Sequence, residues 1–284
     1  MKVCVVGLGL IGGSICMALK KAGYKVYGYN RSQAPINYAL QNGVIDGVAT
    51  DFKEYDVIFV ALPPNNTVDF ITKTPFKNGA IVSDICGVKG AILSKVNECV
   101  RNFYYVGTHP MAGKEVSGIY NAESTLFSNA SMIICSDENT DKNALNVIKK
   151  LVKDMNFKRI VECSAEVHDK KIAYTSQLAH VVSNAYVKNE EIESCLGFTG
   201  GSFQDMTRIA GVDEHIWSEL YLLNKENLLQ KTELLIESLT QFKNALDSGD
   251  ENKLKAVLKE GKDLFEDGKA NSFTGKDITV INLK

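Results

Sequence analysis

Residues 107–118 read GTHPMAGKEVSG and follow the apolar run FYYV, so that His109, one of only four histidines, is held between glycines and a proline. Pro110 restricts the residue before it to extended backbone. Gly107 and Gly113 leave room for a ligand, and Glu115 follows closely. A neutral imidazole fixed in this way can take a proton from a hydroxyl while hydride leaves the same carbon, which is general base chemistry. The plainer alternative is a turn histidine that bonds only to backbone.

A second constellation favours the chemical reading. Residues 3–14 read VCVVGLGLIGGS, placing Gly7, Gly9 and Gly12 in G-x-G-x-x-G spacing directly after an apolar run and at the mouth of a helix. Gly7 permits the tight turn, Gly9 admits a pyrophosphate to the backbone, and Gly12 allows close packing of helix on strand. The first helical amides, at Leu10 and Ile11, then face the phosphates. About twenty residues on, an acidic side chain would hold the ribose 2′-hydroxyl of NAD and repel a 2′-phosphate. This chain has Asn30-Arg31-Ser32 there, a neutral residue followed by two phosphate-binding types, and the expected cofactor is NADP in preference to NAD. Arg31 as an ordinary solvated residue is the alternative. Leu62 and Pro63, at the end of DVIFVALPP, are expected to wall the nicotinamide side.

The elements that must position these residues follow from the pattern. Short β-branched runs at residues 2–6, 25–29, 56–62, 80–84, 104–108 and 131–136 alternate with helical segments, as in a parallel sheet covered on both faces. The first helix is expected to stop at Gly23, and Pro35 falls in the first turn of the next. The fold class is therefore α/β, a Rossmann-type dinucleotide-binding domain over residues 1–163, with an all-α domain over residues 164–284. His109 is expected at the carboxyl end of the strand at 104–108, the edge where such sheets bind ligands. In the helical half, Leu220, Leu223, Asn227, Leu228, Leu234, Leu235 and Leu239 form a stripe too apolar for one solvated helix, to be covered inside the domain or at a dimer seam. The segment from Ser272 to Lys284 reads as an extended or loosely packed end.

Composition excludes several classes. The 284 residues carry a formal net charge of -2, which gives no reason to expect nucleic acid or an anionic membrane as partner. The seven cysteines include no Cys-x-x-Cys pair, so a reduced cytoplasmic protein without a metal site is expected. Glycines interrupt the apolar N-terminus before it reaches the pattern of a signal peptide, and no run is long enough to span a bilayer.

Taken together, GLGLIGGS, DICGVKG at 84–90, GTHPMAGKEVSG, SQLAH at 176–180 and GGSFQDMTRIA at 200–210 resemble the prephenate dehydrogenase family, in the right order along the chain. The resemblance implies oxidative decarboxylation of prephenate to 4-hydroxyphenylpyruvate with reduction of NAD(P)+, a step towards tyrosine, by a homodimer joined through the helical domain. It implies His109 as catalytic base, Arg208 on a substrate carboxylate, His180 as a donor near the pyruvyl side chain, Ser176 on the same helical face, Asp205 orienting Arg208, and Glu115 tuning the site. The chain departs from the family pattern at Gly87, where many relatives carry serine, leaving Cys86 or a water to replace the hydroxyl. It also has Ser-Gln-Leu-Ala-His for the commoner Ser-His-Leu-Pro-His, and Gln204 where arginine is frequent. Arogenate dehydrogenase is the nearest alternative. A β-hydroxyacid dehydrogenase would instead need a catalytic lysine, at Lys170 or Lys171, and a nucleotide-binding sensor would have no catalysis. With neither a fused mutase segment nor a small regulatory domain expected, the reading is of a monofunctional enzyme.

Overall fold

Strand β1 (Lys2–Val6) shows how the sequence builds the centre of the molecule. Successive side chains point to opposite faces of a sheet. Accordingly Val3 and Val5 enter one core cluster with Ile15, Leu19 and Ile148, while Cys4 and Val6 enter another with Ile71, Val88 and Ile92. Helices cover both faces, which is why every residue from Val3 to Val6 is fully buried and the run is apolar throughout.

The computed structural model describes residues 1–270 and 277–284. After β1 come α1 (Leu10–Lys21), β2 (Lys25–Tyr29), α2 (Gln33–Gln41), β3 (Gly47–Val48), β4 (Val57–Val60), α3 (Pro64–Lys73), β5 (Ile81–Asp84), α4 (Gly90–Asn97) and β6 (Tyr104–Tyr105). The six strands form one parallel sheet in the order β3-β2-β1-β4-β5-β6, the doubly wound arrangement whose order reverses beside β1. A second sheet follows, built from β7 (Gly107–Pro110), β8 (Ser131–Cys135) and β9 (Arg159–Cys163), with α5 (Lys142–Asp154) connecting the last two. The helical unit contains α6 (Ala165–Ile172), a π-helical turn (Ala173–Gln177), α7 (Leu178–Tyr186), α8 (Gly201–Thr207), α9 (Glu214–Leu223), α10 (Lys225–Asp247) and α11 (Glu251–Ala270). A last strand, β10 (Thr279–Asn282), then returns to pair antiparallel with β9.

Three differences from the sequence reading bear on the site. The strand expected at 104–108 is two strands: the Val106 amide still bonds to Val82 in the first sheet, but Gly107 onwards pairs with β8 in the second. Side chains replace the ladder there, with Thr108 Oγ1 donating to the Asp84 carbonyl at 2.6 Å. His109 therefore sits inside an edge strand and not beyond the end of one. The leucine stripe is likewise broken at Asn224, a buried residue between α9 and α10 that donates to the Asp169 carbonyl and to Gln177. Leu228 is buried within the subunit, whereas Leu234 and Leu239 are exposed. Finally, the expected loose end is in part strand β10, and residues 272–276 of it lie outside the described residues.

Candidate active site

The glycine loop is built as its spacing requires. Gly7 has φ +94°, and a methyl group on it would lie 2.2 Å from the Ala61 carbonyl oxygen. On Gly12 a methyl would lie 1.9 Å from the Gly7 carbonyl oxygen, so helix, loop and strand touch backbone to backbone. Gly9, by contrast, faces open space within 4 Å. It caps α1 with extended backbone, leaving the first-turn amides directed outward. A cleft of about 330 Å³ opens here, lined by Gly9, Leu10, Ile11, Gly12, Leu62 and Pro63 among others, so the open glycine backbone faces it. Asn30 is partly committed to the loop, since its Oδ1 accepts from the Leu8 amide at 3.0 Å and its Nδ2 donates to the Ser32 carbonyl at 3.2 Å. Arg31 and Ser32 are exposed beside it.

A second cleft, of about 360 Å³, is lined by His109, Pro110, Gly113, Ser176, His180 and Trp217. The two clefts share Gly87 and Leu220 as a common wall. Thus Ser176, in the π-helical turn, and His180, on α7, line the same cleft as His109. Arg208 and Glu115 stand close by as an exposed pair, Nη1 to Oε1 at 2.6 Å. Glu115's own backbone hydrogen bond, then Arg208, lower its pKa.

Other assignments change. Arg208 pairs with Glu115 and not with Asp205, because Arg208 caps the C-terminus of α8 and its side chain reaches across to the loop after β7. The ring of His180 lies against Trp217, with centroids 3.9 Å apart, and its Nδ1 is 3.0 Å from the Ile209 carbonyl. A carbonyl only accepts, so Nδ1 carries the proton and the neutral ring offers an acceptor at Nε2 where a donor was expected. Burial, helped by the Arg208 charge, keeps the His180 pKa low although that backbone bond and the Glu115 charge both raise it. Cys86 does not replace the missing serine hydroxyl, since its Sγ is turned to the Leu62 carbonyl and Thr67. Lys170 and Lys171 line a separate groove with Lys231 and Leu234, away from His109.

Sequence reasoning missed the partners behind His109. His109 Nδ1 lies 2.9 Å from His168 Nε2, and His168 Nδ1 lies 2.7 Å from Asp169 Oδ1. The Asp169 carboxylate accepts from the amides of Lys89 and Gly90, each at 2.8 Å. Beneath them, Lys89 is buried in an ion pair with Asp84, which also accepts from Tyr105 Oη at 2.6 Å. Burial first, and then the charges of His168 and Lys89, hold the His109 pKa well below its ordinary value. The ring is therefore neutral and able to accept a proton. The signal for these partners was an adjacent His-Asp pair at the start of the helical half in a chain with only four histidines.

A dinucleotide-type glycine loop at the switch point of a parallel sheet, opening beside a histidine-lined cleft, defines the architecture of an NAD(P)-dependent oxidoreductase. Residues 15–161 match the family model described as the prephenate dehydrogenase nucleotide-binding domain, and residues 164–260 match its dimerization domain. The chain belongs to the prephenate dehydrogenase family. It is 31% identical to the prephenate dehydrogenase of Bacillus subtilis over 94% of this chain and 75% of that protein. Among solved structures, the prephenate dehydrogenase of A. aeolicus in complex with hydroxyphenyl propionate and NAD+ is 28% identical, with a TM-score of 0.81 over 94% of this chain and 98% of that one. The Synechocystis arogenate dehydrogenase is 26% identical, with a TM-score of 0.76 over 94% and 99%.

Proposed function

We propose that this protein is a prephenate dehydrogenase that converts prephenate to 4-hydroxyphenylpyruvate and CO2 with reduction of NADP+. The observation that carries the reading is the shared wall of the two clefts, which puts the His109 ring beside the place where the loop would hold a nicotinamide. Gly9, Leu10, Ile11 and Gly12 would hold the pyrophosphate, Leu62 and Pro63 the nicotinamide side, and Arg31 with Ser32 the 2′-phosphate. When bound, the nicotinamide supplies the hydride acceptor. His109 accepts the hydrogen bond, and then the proton, of the ring hydroxyl, so that positive charge developing at that carbon is relieved. The ring carboxylate leaves as CO2, the electron pair of the broken bond completes the aromatic ring, and His109 returns its proton to the phenolate oxygen so formed. Arg208 holds a substrate carboxylate with the part of its guanidinium not given to Glu115, while Ser176 and His180 line the cleft around the substrate.

Absorbance at 340 nm, on mixing protein with prephenate or arogenate and either nucleotide, tests this directly. Prephenate with NADP+ is the expected productive pair, and kcat/KM for NADP+ should exceed that for NAD+ by about 10- to 100-fold, the worth of one charge-assisted contact. Equal use of NAD+ would contradict the Arg31 assignment, and no turnover with any pair would leave a nucleotide-binding sensor as the better reading. The Glu115 carboxylate beside Arg208 favours a second substrate, because it is a partner for the ammonium that arogenate carries in place of the keto group. Faster turnover of arogenate would select that reading. In the same assay Arg208→Ala should raise KM for the substrate by about 10- to 100-fold with a smaller change in kcat. An unchanged KM would remove Arg208 from the carboxylate site.

The exposed Leu234, Ile236 and Leu239 on α10 support a homodimer through the helical unit. Light scattering should give twice the chain mass of 31.2 kDa, and a monomer would overturn this. The seven free cysteines fit a reducing cytoplasm, and no helix among the described residues is long and apolar enough to cross a membrane.

A further inference from the structure

The hydrogen bonds behind His109 run in a single direction, and that direction assigns the protons. Asp169 is nearly buried, and its two carboxylate oxygens receive the amides of Lys89 and Gly90. Both oxygens are therefore acceptors, and a carboxylate has no proton to donate. The proton in the 2.7 Å contact with Asp169 therefore belongs to His168 Nδ1. His168 is 1% exposed, and as a neutral ring with Nδ1 protonated it has a lone pair at Nε2. The proton in the 2.9 Å contact between the rings then belongs to His109 Nδ1. That leaves His109 Nε2 as the unprotonated nitrogen. It is also the atom towards the shared wall, since a methyl group on Gly87 would lie 3.7 Å from it.

We propose that His168 and Asp169 are positioning residues for the reaction: they fix His109 in the tautomer whose Nε2 is the free base, and they steady its charge once Nε2 has taken a proton. This rests on the reading of His109 as the base. The pair does the work that a serine at position 87 cannot do here, from the opposite side of the ring. Asn224 supports it by donating to the Asp169 carbonyl at 2.9 Å while also holding Gln177 at 2.8 Å, so that α6, the π-helical turn and the α9–α10 junction are joined at one point.

The test is long-range proton–nitrogen NMR on the full-length protein, where four histidines make the ring signals assignable. In the unaltered protein at neutral pH, His109 should show Nδ1 protonated and Nε2 bare. In His168→Phe it should distribute between both tautomers, and kcat should fall about 100-fold, within the usual range for general base assistance, with the dissociation constant for NADP+ unchanged. His168→Gln, whose side-chain carbonyl can accept from His109 Nδ1, should recover activity to within about tenfold of the unaltered enzyme, since it restores most of that same base assistance. Asp169→Asn removes the negative charge that steadies the imidazole pair and sets an amide donor against a backbone N–H, so kcat should fall at least as far as in His168→Phe, by up to about 10⁴-fold, the scale seen where an orienting carboxylate is made an amide. A protonated Nε2 on His109 in the unaltered protein would overturn the proposal, and so would a His168→Phe variant with unchanged tautomer and kcat. The tautomer is read without turnover and needs no variant to fold. If His109 proves dispensable for turnover, the base reading fails while the tautomer assignment is judged separately.

Discussion

Replacing His109 by asparagine should lower kcat by about 10²- to 10⁴-fold, the usual contribution of a positioned general base, while the dissociation constant for NADP+ stays within about twofold, since a substitution outside the nucleotide cleft perturbs it little. Near-normal turnover would remove His109 from the chemistry. The imidazole lines the second cleft and not the glycine-loop cleft, so the variant separates proton transfer from nucleotide binding. The pH profile gives the same prediction a sign. Burial and the neighbouring His168 and Lys89 lower the His109 pKa. Asp84 and Asp169 are the carboxylates on the same side, the first paired with Lys89 and the second with His168. A base works when unprotonated, and a lowered pKa keeps it so as the solution becomes more acidic. Thus kcat/KM should stay level through the ordinary histidine range and fall only below it. An acid limb at or above the ordinary imidazole value would show that the ring is not held as the structure has it.

Two alanines in the glycine loop should separate folding from binding. Gly9→Ala adds a methyl group into open space, so thermal stability should change little, within about 0.5 kcal/mol. The methyl would occupy the approach of the pyrophosphate, and losing one charge-assisted bond of about 1.5–3 kcal/mol weakens NADP+ by about 10- to 150-fold. Gly12→Ala instead drives a methyl to within 1.9 Å of the Gly7 carbonyl oxygen, backbone that cannot rotate away. Overpacking of this kind costs about 1–3 kcal/mol or more. Calorimetry together with nucleotide titration reads both effects. A Gly9→Ala protein that binds NADP+ normally would place the pyrophosphate elsewhere.

How far the sequence leads depends on how local each signal is. Strands β1 and β2 are read to the residue, since short-range patterning decides them, β1 being covered on both faces and β2 burying Val26 and Gly28 on one. Strand β10 carries only Thr-Val-Ile-Asn, and its pairing with β9 is decided by tertiary contact far along the chain. The break after Tyr105 is hidden for a related reason, because the apolar run continues while the hydrogen-bond partner changes from β5 to β8. His109 was legible from its own neighbours, Pro110 and the glycines. His168 was not, because it lies within an ordinary amphipathic stretch, AEVHDKKI, and only the fold brings it to the ring. Asp205 illustrates the reverse error: a spacing of three suggested a contact, but Arg208 ends its helix there and finds Glu115 instead.

The return of β10 to β9 means that the chain crosses between the nucleotide-binding unit and the helical unit twice. The described end of the return lies beside the start of the helical unit, since Thr279 is in register with Glu162, two residues before Ser164. Residues 279–282 are thereby held by the backbone of the very strand that leads into α6, so the end of the chain is fixed to the nucleotide-binding unit although the helical unit precedes it in sequence.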